Sequence, residues 1–198
     1  MKLFLLSLLL IHAAGCAPVL RGPLDSARPE QAAATLDHGY SLLHQVLHEE
    51  SSVTLIFALK KVSEPIETLV RQVGDAAASG ERSIRKMAVL LPPVAYNSDG
   101  LPLIEVSTRH HIANQLAKSL LLAGDSFELQ LLLTQQNACV YISALASTLA
   151  TAESNAERSA MLTALARDFT AFKMQLVSHL SVRQPKATPQ GSSQAAPK

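Results

Sequence analysis

The chain has 198 residues, 48% of them hydrophobic and 4% aromatic, with 17 basic against 16 acidic side chains and a formal net charge of +1. That balance supplies none of the positive field with which a nucleic-acid binder displaces counterions from phosphates. There is no Cys-x-x-Cys pair, no phosphate-binding glycine loop and no Gly-x-Ser-x-Gly elbow, so the usual signatures of thiol redox, nucleotide and serine-hydrolase chemistry are missing.

The first element is a targeting segment. Lys2 gives a positive start, and Leu3 to Ile11 form an apolar run broken only by Ser7; the run is too short to span a bilayer, and residues 1-15 read as a signal peptide. It ends in Ala13-Ala14-Gly15-Cys16, which resembles the lipobox of bacterial lipoproteins, where small residues precede a cysteine that receives a diacylglyceryl thioether and becomes the mature N-terminus. The resemblance covers the first sixteen residues, and at Ala13 the family more often has leucine. It implies lipid attachment at Cys16, with acyl chains such as palmitate holding the protein to a membrane. Ala17 stands where an aspartate would imply inner-membrane retention in enteric bacteria, so by the same resemblance the expected location is the outer membrane, facing the periplasm. The other cysteine, Cys139, lies more than a hundred residues away in an apolar helical pattern, so an acylated Cys16 leaves no disulfide possible. The alternative is a secretory signal cut after Cys16, giving a soluble secreted product.

Removing residues 1-15 removes Lys2, which leaves 16 basic and 16 acidic side chains on the mature chain. Residues 16-28, with Pro18, Gly22 and Pro23, form the lipidated N-terminus and a short tether. Residues 29-182 have a helical period throughout. Residues 183-198, RQPKATPQGSSQAAPK, have no large apolar side chain and are expected to be a disordered tail.

Within the helical region the first helix is expected from Pro29 to Val62. Leu36, Tyr40, Leu43 and Leu47 share one face, and the stripe continues through Glu50 and Thr54 to Phe57. Polar residues in mid-seam are its weak point, and SSVTLIFAL has enough β-branched content for a strand; helix is retained because no partner strand is evident. The second helix carries Ile66, Val70, Val73, Ala77, Gly80, Ile84, Met87 and Leu91 at spacings of four and three. Ser63, Glu64 and Pro65 start it and Pro92-Pro93 stop it. Glycine at position 80 costs about 1 kcal/mol relative to alanine, which predicts close approach of a neighbour there, or a kink. In the long loop that follows, Leu101, Leu103 and Ile104 are expected to cover the end of the core.

A third helix is expected from near Ser107, carrying Ile112, Leu116 and Leu120. Gly124 then suits a cap and Asp125 with Glu128 a capping box, so residues 107-152 form either a hairpin or one kinked helix, the hairpin being preferred. The fourth helix, Asp125 to Ala152, has one stripe of Phe127, Leu131, Thr134, Ala138, Tyr141 and Leu145, and beside it a second of Leu132, Gln135, Cys139, Ile142, Ala146 and Leu149. So broad a face belongs to the most buried helix. The fifth is expected to start at Ser154, with Glu157 completing a capping box, and to present Leu162, Leu165, Phe169, Phe172, Leu176 and Leu180. Together these describe an all-α fold, an antiparallel up-and-down bundle of four to five helices, with Ile84, Leu132, Ile142, Leu165 and Phe169 in its core.

Bundles of this kind can house di-iron centres, but those need glutamates followed three residues later by histidine, and no glutamate here has one. The metal candidates are His44 and His48, one turn apart; positions 40, 41, 51 and 52 are Tyr, Ser, Ser and Ser, so the same helix supplies no third strong ligand. His110 and His111 diverge by about 100° on a helix and are expected in solvent. Glu105, Arg109 and Gln135 fall on otherwise apolar faces, as a ligand site or as a polar network that sets helix register. Cys139 is expected to be an inert, buried thiol. These readings imply no catalytic residue and no cofactor. The leading expectation is an envelope lipoprotein whose bundle acts as an accessory or scaffold through contact with a protein partner. The alternatives are a periplasmic binding module with a small apolar ligand or a metal between its helices, and a soluble secreted helical factor.

Overall fold

Residues 29-97 and 101-182 are described by the computed structural model; the expected signal peptide 1-15, the expected lipid attachment at Cys16 with its tether and the expected tail 183-198 lie outside them. The described residues form five α-helices and no strand: α1 (Pro29–Ser51), α2 (Glu64–Met87), α3 (Leu103–Leu122), α4 (Phe127–Ala152) and α5 (Ala156–Val182). The fold is an all-α helical bundle.

Two hairpins, α1-α2 and α4-α5, build it. Helix α1 packs on α2 and α4, and α5 packs on the same two. Gly39 midway along α1 lies against Leu149 near the end of α4, and Glu50 at the end of α1 lies beside Gln135, earlier on α4, so these two helices are antiparallel. Every adjacent pair in the square α1-α2-α5-α4 therefore runs in opposite directions. Helix α3 stands outside the square, packed on α4. Ser119 bonds to Gln130 and Arg109 to Tyr141, so residues 107-152 form a hairpin. Gly124 makes its turn with a φ of +49°, a conformation that L side chains adopt only with strain.

The core follows the helical stripes. Tyr40, Leu43 and Leu47 of α1 meet Ile66, Val70, Val73, Ala77 and Ile84 of α2, Leu132, Ile142 and Ala146 of α4, and Leu162, Leu165, Phe169 and Leu176 of α5. Each large aliphatic side chain removed from water contributes about 1.5 to 3 kcal/mol. Gly80 sits at the closest approach: a Cβ there would lie 2.9 Å from Leu165 Cδ1 and 3.2 Å from Leu47 Cδ1. On α4 the stripe from Leu132 to Leu149 is the core face. The other stripe fades from buried Phe127 and Leu131 to exposed Tyr141, because it faces α3, which does not seal it.

Several boundaries differ from the helical period. Helix α1 stops at Ser51, and Val53–Ala58 forms a 3-10 turn instead of continuing to Val62. Ser51 Oγ donates to the His48 carbonyl at 2.7 Å, and Leu55 N–H bonds to the Ser52 carbonyl three residues back; serine hydroxyls and β-branched crowding favour the tighter turn. Helix α2 ends at Met87, leaving Leu91 exposed. Helix α3 begins at Leu103, where the Pro102 carbonyl accepts from Glu105 and Val106. Leu101 is buried but lies outside the main core cluster, and Leu103 and Ile104 are 84% and 77% exposed. Ser126 makes no side-chain cap at the start of α4; Glu128 instead accepts the Ser63 N–H at the start of α2. Helix α5 is capped by Asn155 rather than Ser154, its Oδ1 accepting from the N–H groups of Glu157 and Arg158 at 3.0 Å each.

A buried ion pair closes one end of the bundle. The Arg158 guanidinium, fully buried, donates to both Glu153 oxygens at 2.8 and 2.9 Å and to the Leu90 carbonyl at 2.7 Å. Tyr40 donates to Glu153 at 2.7 Å, and the Asn155 N–H donates to it at 2.8 Å. Burial pushes the Glu153 carboxyl up, but these donors outweigh it and hold it below its ordinary value. The network ties the α4-α5 turn to α1 and to the end of α2.

Candidate functional site

Helix α3 packs mainly on α4, and a groove of about 430 Å³ remains between α1, α3 and α4. Ala113 of α3 and Ala138 of α4 are too small to close it, and Val46, Ile112 and Leu116 form apolar walls. Ile112 and Leu116 are consequently half-exposed, unusual for a helix face turned toward its own protein. The volume falls within the range of small-molecule pockets.

Polar groups enter the groove from all three helices. Arg109 Nε donates to Glu105 Oε1 at 3.0 Å, and a second guanidinium nitrogen donates to the Tyr141 hydroxyl. The guanidinium also lies over the Tyr141 ring, 5.2 Å from its centroid. The one cation among the lining residues is therefore already shared between a carboxylate and a phenol. Against it stand the carboxyls of Glu49, Glu50 and Glu105.

Glu50 differs from the other two. It is only 8% exposed, and its Oε1 has no hydrogen-bond partner among the described residues. Burial pushes its carboxyl up to about 7, the hydrogen-bonding Gln135 amide pulling the other way and Glu49 adding a further upward push. The Gln135 Oε1 is also buried and, among the described residues, without a partner. Cys139 lies behind this pair, fully buried; burial, with Glu50 adding to it, pushes its thiol up to about 12, so it is neutral at neutral pH and a poor nucleophile.

Of the residues singled out in the sequence, Glu105 and Arg109 thus come together, and Gln135 does not join them. It faces the core beside Glu50, because on α4 it belongs to the stripe of Cys139 and Ile142, whereas the groove is lined by Thr134, Ala138 and Tyr141. Glu50 was visible as a carboxylate interrupting the apolar stripe of α1. Its role was not visible, since Gln135 is 85 positions away in the chain.

His44 and His48 do share a face, and a third group meets them from α2. Glu81 Oε1 lies 3.6 Å from His44 Nε2, 3.5 Å from His48 Nδ1 and 3.4 Å from an Arg85 guanidinium nitrogen. Burial pushes His44 below its ordinary value, with Glu81 opposing and Arg85 and His48 adding to the fall. The His44 ring also packs on Tyr96 at 5.0 Å. With Arg85 on the shared carboxylate, the cluster is a polar seam between α1 and α2. Among the described residues no three His, Cys, Asp or Glu side chains are placed to hold a metal ion. His110 and His111 are exposed.

A larger cavity, about 600 Å³, lies between α1 and α4 beside Leu36, Leu42, Leu145 and Leu149, with His38 as its one titratable lining group. No helix among the described residues is long and apolar enough to cross a membrane. No known protein family matches the sequence, and neither a curated protein nor a solved structure is detectably similar to it.

Proposed function

We propose that the chain is a bacterial envelope lipoprotein, anchored through a lipid on Cys16, whose bundle acts without catalysis as an accessory or scaffold by contact with a partner protein. The outer membrane, with the bundle facing the periplasm, is the location that the lipobox-like Ala13-Ala14-Gly15-Cys16 and the following Ala17 favour. The observation that carries the contact role is the outer face of α3. This helix has no buried residue, and Leu103, Ile104, Leu121 and Leu122 are all exposed on it, with Leu129 and Leu133 of α4 nearby in the chain. Scattered apolar side chains are ordinary on a surface, but exposed apolar pairs at both ends of one appended helix favour an interaction face.

The occupant proposed for that face is a protein carrying an apolar helix. A lipid-surface helix would have a polar face rich in lysine and arginine, whereas α3 has one lysine, Lys118, and an arginine engaged by Glu105; its polar positions are Ser107, His110, His111, Asn114 and Gln115. Photo-crosslinkers placed at Leu103 and Leu121 in native membranes should capture one and the same protein, and a crosslinker at Arg167 on α5 should not. Replacing Leu121 by Asp should abolish capture at position 103. Equal capture from α5 would defeat the contact reading. The anchor is tested separately, by mass spectrometry of the mature N-terminus in the native host. Acylated Cys16 supports it, and Cys16→Ser should abolish both acylation and cleavage there; several chains are required, since a single one anchors only marginally. An unmodified chain beginning at Ala17 would refute the anchor and leave a secreted bundle.

A further inference from the structure

We propose that the groove between α1, α3 and α4 binds an amphiphile with a protonated amine head and an alkyl tail, the ammonium pairing with Glu50 and the tail lying along Val46, Ile112 and Leu116. This site is separate from the outer face of α3 and does not depend on the lipid at Cys16.

The head is chosen by hydrogen-bond inventory and charge. Glu50 lines the groove, is more than nine-tenths buried and has an oxygen with no partner among the described residues; its neighbour Gln135 has another. Both unpartnered atoms are acceptors, and the Gln135 amide, which already donates to Glu50, does not satisfy them. An ammonium offers three N–H donors and no acceptor, and pairing with it relieves the cost of a buried carboxylate. A carboxylate head would add further acceptors and a like charge among Glu49, Glu50 and Glu105. The single cation present, Arg109, is held by Glu105 and Tyr141 and does not reach Glu50 in this arrangement. An alcohol could donate once but would leave the charge uncompensated.

The tail is chosen by the walls. Ile112 and Leu116 are half-exposed on the face that α3 turns toward the bundle, and covering them with an alkyl chain gains about 25 cal/mol for each Å² removed from water. The groups that act on Glu50 or share the groove with it are Glu49 from its own helix, Glu105 and Arg109 from α3, and Tyr141, Gln135 and the neutral Cys139 thiol from α4. Because Glu50 titrates near 7, it must lose its proton to pair with the amine, so affinity rises with pH through that range.

Dodecylamine, dodecanol and dodecanoate, each below its micelle concentration, are titrated calorimetrically into the full chain and into Glu50→Gln and Ala138→Leu variants. Binding elsewhere on the chain is common to all three proteins, so the differences between them read the groove. Dodecylamine should bind the wild type with one-to-one stoichiometry, at least tenfold more tightly than dodecanoate. Its affinity should fall by about tenfold from pH 8 to pH 6, as expected for one linked proton. Glu50→Gln should lose at least tenfold in affinity and all of that pH dependence, and Ala138→Leu, which fills the groove, should lose binding of both head types. Melting curves taken alongside separate a lost site from a lost fold; Gln is nearly isosteric with Glu and leaves no buried charge. Equal affinity for amine and carboxylate, unchanged binding by Glu50→Gln in a folded protein, or no saturable binding of dodecylamine would each overturn the proposal.

Discussion

Replacing Glu50 by Gln should stabilise the protein at alkaline pH and do little in acid. The folded chain holds the Glu50 proton more tightly than the unfolded chain does, because burial raises the carboxyl from an ordinary 4.5 to about 7. Below the lower value both states are protonated and the group has no effect. As pH rises through this window the unfolded chain ionises first, so the contribution of Glu50 to stability falls, and the loss is complete above about 7. Each tenfold change in proton affinity is worth about 1.4 kcal/mol, so the full penalty on the wild type is about 3 kcal/mol. Glu50 is buried, so solvent screens little of this. For a chain of this size that corresponds to roughly 6 to 12 °C in Tm. Thermal and urea unfolding followed by far-ultraviolet circular dichroism at about pH 4 and about pH 8, either side of the whole window, measures it. The cost of burying the Gln amide is the same at both values, so the change in the variant-minus-wild-type difference isolates the ionisation. Glu153 contributes in the opposite sense, its depressed carboxyl losing stability as pH falls, but it is common to both proteins and cancels. A difference that does not change with pH would refute a buried, ionising Glu50.

Other substitutions probe the frame that holds the groove. Arg158→Met leaves the Glu153 carboxylate buried without its partner and removes the donor to the Leu90 carbonyl; denaturant unfolding should show a loss of about 3 to 5 kcal/mol, and a neutral outcome would mean that the Tyr40 and Asn155 donors alone support Glu153. Leu165→Ala, at the meeting of α2 and α5, should cost about 2 to 5 kcal/mol in the same assay. Gly124→Ala forces a side chain into the left-handed region at the α3-α4 turn; it should cost about 1 to 2 kcal/mol and increase amide hydrogen exchange in α3 more than in α5.

The division between helix and turn was largely legible in the residues. Spacings of three and four on α2, α4 and α5 identified the faces that bury Ile84, Leu132, Ile142, Leu165 and Phe169, because the side chains of one helix meet at that period whatever the neighbours are. The close approach at Gly80 was legible for the same reason: glycine in a well-formed helix requires a neighbour to justify its cost. Boundaries were less so, since the 3-10 turn after Ser51 and the early start of α3 at Leu103 depend on local hydrogen bonds that the period does not report.

The character of the chain as an all-α bundle, and which side chains share each helix face, were determined by sequence alone, through periodicity acting within about twenty-five residues. Tertiary structure decided which faces meet. Periodicity placed His44 beside His48, but only the packing of α2 on α1 brought Glu81 and Arg85 to them. It placed Glu105 beside Arg109, but only the docking of α3 on α4 gave Arg109 to Tyr141. A carboxylate in an apolar stripe became a buried, proton-holding Glu50 because α4 covers it with Gln135 and Cys139, and an arginine in the first turn of α5 became the lock of the bundle because three other segments converge on it. Burial and charge pairing are properties of the space between elements, and that space exists only once the helices have packed.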